Sequence, residues 1–252
     1  MTRLIYDGTF EGLLTVVFEI YDRKLTKVNV QQTDAADSAL FENVLIVTTD
    51  EARSNRVLKG LSEKLSANGL QRVYVAHLAG IKGEENNIIG FIRYAFDEKQ
   101  NIEENYGNRY VQRISEVVKM MRREKHRMEA FIRFQKLQDD TYYAVIEPDF
   151  NVLPLLIKHF RNRYADQKWI IYDTRCNYGV YYDLYDTQYI NLDFSTISNP
   201  RDLAAAFTED EGIYQSLWQN YFKSVNIAAR KNTRLHMRHI PKRYWRHLTE
   251  KI

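Results

Sequence analysis

The sequence is poor in residues on which several classes of protein depend. Cys176 is the single cysteine among 252 residues, so the chain has no internal disulfide framework and no cysteine-rich zinc or iron–sulfur site of its own. Four prolines and ten glycines are present, and no low-complexity linker occurs. There is no run of about 18 uncharged apolar residues, and the N-terminus lacks the apolar segment of a signal peptide. These absences predict a soluble, cytoplasmic protein without a membrane span.

Common catalytic and nucleotide-binding signatures are missing as well. The sequence contains no G-x-x-x-x-G-K-[ST], no G-x-G-x-x-G, no H-E-x-x-H and no G-x-S-x-G. No catalytic residue, metal site or cofactor is therefore predicted. A non-enzymatic role is favoured, although the absence of a motif does not exclude catalysis.

The charge is distributed unevenly along the chain. Overall, 36 Lys and Arg face 33 Asp and Glu, for a net charge of +3. The stretch 223–247 nevertheless carries eight Lys and Arg and no acid, and the stretch 109–136 carries nine against three glutamates. Local positive fields of this kind attract polyanions even when the whole protein is nearly neutral.

The C-terminal basic segment, residues 230–248, is the first candidate site for DNA. If its start is helical, arginines four residues apart share one face and would face phosphates. The predicted phosphate-binding residues are Arg230, Lys231, Arg234, Arg238, Lys242, Arg243 and Arg246, with Tyr244 and Trp245 as candidates for stacking on bases. Alternatively, Trp245 is a core anchor and the arginines form a solvated face, or they meet an acidic patch on a partner protein.

A central basic strip lies near the predicted end of a long helix and forms a second candidate. It comprises Arg122, Arg123, Lys125 and Arg127. Cations at a helix C-terminus also interact favourably with the helix dipole, which is the competing explanation. The neighbouring His126 is predicted to be a hydrogen-bonded structural residue rather than a general base.

Two further clusters carry chemistry-bearing side chains. Asp173, Arg175 and Asp183 are predicted around the turn of a hairpin. Paired carboxylates there would bind a metal or serve acid–base chemistry, whereas Asp and Arg near a turn commonly form cross-strand charge pairs, and the charge pairs are favoured. Cys176 lies in the same turn without any context that activates a thiol. The 18 tyrosines are predicted to line strands and the core, and a sheet face with exposed tyrosines would be a stacking platform.

The apolar periodicity predicts a helix-rich α+β fold with a central antiparallel sheet built as hairpin, helix, hairpin, followed by a basic helical C-terminus. Thr9 and Asp50 are predicted to cap helices, Asn68-Gly69 to end one, and the long helix from Asn108 to end near Met128. The predicted parts are 1–107, mainly helical; 108–198, α+β; and 199–252, basic and helical. All three could also form one compact unit.

Four stretches together carry a family resemblance. They are IYDGTFEGLLTVVFEIY, KHRMEAFIRFQKLQDDTYYAVIEPDFNVLPLLIKHFRNRY, KWIIYDTR and LWQNYFKSVNIAARKNTRLHMRHIPKRYWRHLTE. With them the chain resembles a bacterial DNA metabolism or DNA repair family whose C-terminal half is a domain of unknown function. The resemblance implies a companion of a radical S-adenosylmethionine protein that modifies or repairs DNA. In some relatives this region is fused to a uracil-DNA glycosylase domain.

The sequence lacks the C-x-x-x-C-x-x-C motif of a radical S-adenosylmethionine enzyme, so the resemblance implies the accessory half of such a system. The expected function is a DNA-binding accessory protein. One alternative is a protein adaptor for the radical enzyme without DNA affinity. The other is a glycosylase or nuclease that uses Asp173, Asp183, His126 or His159.

Overall fold

The computed structural model describes residues 1–33, 43–191 and 240–248. Most of the predicted C-terminal helices, including Arg230, Lys231, Arg234 and Arg238, lie outside these residues. The described part is mixed α/β, with six α-helices, a short 3-10 helix and two sheets. The chain divides into a first unit, Met1–Arg122, and a second unit, Arg123–Ile252. This division falls inside the longest helix, whereas the sequence placed a boundary just before that helix. No helix of the described residues is long and apolar enough to cross a membrane.

The first unit contains a three-stranded parallel sheet and four complete helices. In chain order its elements are β1 (Thr2–Tyr6), α1 (Phe10–Asp22), β2 (Val28–Gln32), β3 (Asn43–Ile46), α2 (Glu51–Lys64), α3 (Ala67–Leu78) and α4 (Glu84–Asp97). The strand order is β2-β1-β3. α1 connects β1 to β2, as parallel neighbours require a crossover.

Local sequence signals set the helix starts. The Thr9 hydroxyl accepts the N–H of Gly12 at 2.9 Å, and Asp50 accepts the N–H of Arg53 at 3.0 Å, so both predicted caps are confirmed. The prediction for Asn68-Gly69 is wrong, because both residues belong to the first turn of α3, which is capped by Ser66. Gly69 serves close packing instead, since a Cβ there would lie 2.7 Å from the Glu103 carboxylate.

The long helix α5 runs over Arg109–Phe131 and passes from one unit into the other. The predicted apolar positions Val111, Ile114, Val118, Met121 and Met128 are buried. The helix continues about one turn beyond its predicted end near Met128. Lys125 pairs with Glu129 one turn later, and the buried residue between Met121 and Met128 is Glu124.

The second unit contains a five-stranded mixed sheet. Its elements after α5 are β4 (Gln135–Lys136), β5 (Tyr142–Ile146), α6 (Leu153–Arg163), β6 (Trp169–Asp173), β7 (Tyr178–Tyr182), β8 (Thr187–Ile190) and the 3-10 helix Lys242–His247. The sheet order is β4-β5-β6-β7-β8.

The predicted antiparallel sheet is confirmed only in part. β4–β5, β6–β7 and β7–β8 are antiparallel, whereas β5 and β6 are parallel. α6 joins these two strands as a crossover helix, which returns the chain to the same end of the sheet. Gly179 lies within β7, where a Cβ would approach the carbonyl oxygen of Ile171 at 3.0 Å.

Candidate nucleic-acid interface

The end of the C-terminal basic segment is anchored inside the second unit by Tyr244. This side chain is 1% exposed, and its hydroxyl donates a 2.5 Å hydrogen bond to Oε1 of Glu124. Its ring centroid lies 5.7 Å from that of Phe131. Burial and the Glu124 carboxylate raise the pKa of the Tyr244 phenol, so the residue stays a neutral donor.

Two of the three predicted cations in this anchored part are paired with acids. Arg243 contacts Asp149 at 2.5 Å and lies 4.5 Å over the Tyr244 ring. Arg246 pairs with Glu147. Lys242 is exposed and has no acidic partner among the residues that the structure describes.

The stacking role predicted for Tyr244 requires a correction. Because this ring is buried and its hydroxyl is bound to Glu124, it offers no open face to a base. Trp245 is half-buried, and its indole N–H donates to the carbonyl oxygen of Ile240 at 3.0 Å. This placement accords better with the anchor alternative than with a stacking surface.

The central basic strip on α5 is also only partly available. Lys125 pairs with Glu129, and Arg127 contacts Glu124 at 3.4 Å. Arg122, the last residue of the first unit, is exposed and reaches the side-chain oxygen of Asn68 at 3.5 Å. Arg123 opens the second unit and is exposed, with no acidic partner within 1–33, 43–191 and 240–248.

His126 and His159, which the enzyme alternative would use, both approach the Glu129 carboxylate. His126 is exposed, with Nδ1 at 3.9 Å from Glu129, and His159 Nδ1 lies 3.6 Å from the same side chain. Glu129 is itself paired with Lys125. Both imidazoles thus approach a carboxylate that already has a lysine partner. These contacts give no indication of a general base.

Helix α6 is a basic element whose cations are not among the predicted DNA-binding residues. It carries Lys158, Arg161 and Arg163 and no acid, and all three cations are exposed. Arg161 donates to the backbone oxygen of Tyr185 at 2.9 Å. Lys158 has no acidic partner in the described part of the chain. The signal was present in the acid-free run LPLLIKHFRNR, but its three cations were hidden by longer basic stretches elsewhere.

Two of the tyrosines project from the sheet near α6. Tyr185, between β7 and β8, is 81% exposed, and Tyr189 on the edge strand β8 is 63% exposed. The rings of Tyr189 and Tyr178 lie 5.9 Å apart. Asp183 and Asp186 also lie here, and both carboxylates accept backbone N–H groups of the turn. The sequence did not indicate which of the tyrosines reach solvent.

The structure does not bring Asp173 and Asp183 together as a pair of carboxylates. Asp173 ends β6 opposite Tyr178, the first residue of β7, whereas Asp183 follows the last residue of β7, so the strand length separates them. Asp173 is fully buried and its Oδ1 accepts the N–H groups of Arg175 and Cys176, while Oδ2 has no hydrogen-bond partner in the described residues. Burial raises the pKa of Asp173.

Cys176 does not have the environment of a reactive thiol. Burial, followed by the nearby Asp173 carboxylate, raises the pKa of Cys176 to about 12. A thiol with such a pKa is protonated at neutral pH and is a poor nucleophile. Among the described residues, no group of three His, Cys, Asp or Glu side chains could hold a metal ion.

Comparison with known proteins identifies the family but not the activity. No curated protein matches the sequence. Residues 82–250 match DUF4130, a domain of unknown function. This match includes all of α4 and α5 and the second unit up to residue 250, about two thirds of the chain. The predicted domain of unknown function is thereby confirmed, and the chain belongs to the DUF4130 family.

Proposed function

We propose that this protein binds DNA through exposed cations of its second unit. We propose further that it is the accessory protein of a base-modification or DNA-repair system that includes a radical S-adenosylmethionine enzyme. The charge distribution supports the first part. Residues 123–252 contain twenty Lys and Arg against sixteen Asp and Glu, whereas residues 1–122 contain sixteen against seventeen.

The proposal depends mainly on three cations that are exposed and lack an acidic partner in the part of the chain that the structure describes. Arg123, Lys158 and Lys242 are exposed, and none has an acidic partner among the described residues. A cation without a carboxylate partner can bind phosphate without first breaking an ion pair. Such contacts release counterions from DNA, which is the main source of sequence-independent affinity.

The paired arginines have a different part in the proposal. Arg243 and Arg246 are held by Asp149 and Glu147, so they fix the end of the C-terminal basic segment on the second unit. Phosphate contacts at these positions would have to displace the two carboxylates. We therefore assign Arg243 and Arg246 to positioning and the unpaired cations to phosphate binding.

The accessory role rests on the family resemblance, and DNA binding is compatible with it. The adaptor alternative uses the same basic surface for an acidic face of the radical enzyme. It predicts co-purification with that enzyme and no affinity for DNA, even at low salt. A DNA-binding measurement on the purified chain therefore distinguishes the two roles.

The test is fluorescence anisotropy of labelled single- and double-stranded DNA, titrated from low to physiological salt. If about five cations of the chain neutralise phosphates, the log–log salt slope on duplex is on the order of −4 to −5. The double variant Arg123→Glu/Lys158→Glu is expected to weaken binding and to lower the slope by about 2. Lys99→Glu is the matched control, because Lys99 is exposed in the first unit.

Two results would reject the proposal. Absence of binding at low salt would favour the adaptor role. If the loss of DNA affinity per reversed charge is the same for the double variant and for Lys99→Glu, the effect comes from the general field of the protein rather than from contacts at Arg123 and Lys158.

A further inference from the structure

A cavity of about 660 Å³ lies in the first unit beside the start of β2. Its walls come from the segment Thr26–Asn29, from α4 and from residues 108–110 at the start of α5. Small-molecule sites in proteins have volumes of about 300–1,000 Å³. The cavity therefore has the size of a ligand site, and its lining includes none of the residues assigned above to DNA.

Side chains of α4 hold the wall next to β2 in place. Asn86 accepts the N–H of Val30 at 2.9 Å and donates to its carbonyl oxygen at 3.2 Å, so its amide substitutes for a neighbouring strand. The Arg93 guanidinium donates to the carbonyl oxygens of Leu25 and Thr26 at 2.5 and 3.2 Å. A wall fixed in this way loses little conformational entropy when a ligand binds.

Tyr110 fixes a cation in another part of the lining. The Arg109 guanidinium lies 4.5 Å over this ring and donates to its hydroxyl at 2.5 Å. The ring is seated on Gly90 of α4, where a Cβ would lie 2.3 Å from the ring atom Cε1. Arg109 has no acidic partner among the described residues. It presents a pre-positioned positive charge to the cavity.

The remaining polar lining is rich in amides. The Asn87 side chain makes no hydrogen bond to any described residue, so its oxygen and nitrogen are both available. Lys27 joins Arg109 as a cation of the lining, in addition to Arg93, which is bound to backbone oxygens. Asp97 is the single acid of the lining. An asparagine amide can pair with the edge of a nucleobase, because it offers a donor and an acceptor side by side.

We propose that this cavity binds a nucleotide. Arg109 and Lys27 bind the phosphate, the Asn87 amide reads the base edge, and the Asp97 carboxylate accepts a ribose hydroxyl. An inorganic anion would leave the amide and the carboxylate unused, and a neutral sugar would leave both cations unused. This inference does not depend on the proposed binding of DNA.

The experiment is isothermal titration calorimetry of the full chain with AMP, GMP, CMP and UMP. The nucleoside that corresponds to the bound nucleotide and inorganic phosphate serve as the two halves of the ligand. At least one nucleotide is expected to bind, and at least about tenfold more tightly than its nucleoside or phosphate alone. Asn87→Ala and Arg109→Gln are each expected to weaken that nucleotide by about tenfold or more. Lys99→Gln, which removes an exposed positive charge outside the cavity lining, is expected to leave the affinity unchanged.

Each contrary outcome overturns the proposal in a recognisable way. Absence of binding of all four nucleotides at millimolar concentration removes the ligand. Phosphate that binds as tightly as the nucleotide reduces the cavity to an anion site. Nucleotide binding that both cavity variants retain places the ligand elsewhere. Thermal melting of each variant by circular dichroism verifies that the fold is intact, and Asn87→Asp serves as the near-isosteric replacement if Asn87→Ala unfolds.

Discussion

The Tyr244 hydroxyl donates a 2.5 Å hydrogen bond to the carboxylate of Glu124, which lies 120 residues earlier in the chain. Both side chains are buried within the second unit. The same Oε1 of Glu124 also accepts the N–H of Asp149 at 2.9 Å, while Arg127 approaches Oε2. A buried carboxylate is stable only when such donors satisfy it, so the contact stabilises both α5 and the C-terminal 3-10 helix.

Replacement of Tyr244 by Phe is expected to lower the free energy of unfolding by about 1–3 kcal/mol, because a buried carboxylate loses one donor while the ring volume is kept. Urea unfolding followed by circular dichroism measures the change. Tyr185→Phe is the control, since that tyrosine is 81% exposed and its loss should cost nothing measurable. Equal stability of the two variants would show that the Tyr244 hydroxyl contributes no net stabilisation.

Asp173 is expected to make the stability depend on pH in an unusual direction. Burial raises the pKa of Asp173 in the folded state above the value of 3.8 that it has in the unfolded chain. At a pH between these two pKa values, the folded state keeps a proton that the unfolded state has released. Rising pH through this window therefore favours unfolding, with a slope of at most about 1.4 kcal/mol per pH unit. Asp173→Asn keeps an oxygen for the N–H groups of Arg175 and Cys176 and should remove this slope. Denaturant unfolding at a series of pH values from 3.5 upward compares the two proteins, and identical pH profiles would contradict the expectation.

Gly12 is expected to tolerate no side chain, although it lies in a helix. A Cβ there would lie 2.3 Å from Oδ1 of Asp7, which accepts the Thr9 hydroxyl at 2.7 Å, while Oδ2 accepts the Thr49 hydroxyl. Gly12→Ala should therefore cost about 1–3 kcal/mol of stability through overpacking, despite the gain of about 1 kcal/mol in helix propensity. Thermal unfolding of Gly12→Ala against Gly60→Ala tests this, because the nearest atom at Gly60 is the edge of the Phe96 ring at 3.2 Å. Equal melting temperatures would mean that the Asp7 contacts rearrange freely.

If the second unit binds DNA as proposed, Tyr185 and Tyr189 should favour single strands. Stacking of a base on an aromatic ring contributes about 1–3 kcal/mol. The double variant Tyr185→Ala/Tyr189→Ala is therefore expected to weaken single-stranded DNA by tenfold or more and duplex much less. Anisotropy titrations with both substrates measure the ratio. The exposed Tyr106 of the first unit provides the control Tyr106→Ala. An equal loss of affinity for single- and double-stranded DNA would indicate that the two tyrosines contribute to packing of the fold rather than to stacking on bases.

Short-range sequence features were the reliable part of the prediction. The caps at Thr9 and Asp50 each depend on residues within one helical turn. The parallel pairing of β5 with β6 was missed because it depends on the path of α6 rather than on either strand. β2 was missed because Asn29, Gln31 and Gln32 give it a polar sequence, and only its pairing with β1 makes it a strand.

The candidate interface was less predictable for a similar reason. Counting cations located the basic stretches, but it gave no information on which acids face them. Asp149 and Glu147 are distant in sequence from Arg243 and Arg246, and their pairing became visible only in the folded second unit. Tyr244 looked like an exposed aromatic among arginines because its buried partner Glu124 belongs to another part of the chain.

The contact between Asn86 and Val30 bears on how fragments of this family are to be expressed. The DUF4130 match begins at residue 82, so a recombinant fragment cut at that boundary would keep α4 and lose β2. The Asn86 amide would lose both backbone partners, and the buried residues Ile88, Ile89 and Ile92 would lose the strands and helices that cover them in the first unit. Such a fragment would expose an apolar helix and aggregate, so soluble material requires the preceding 81 residues.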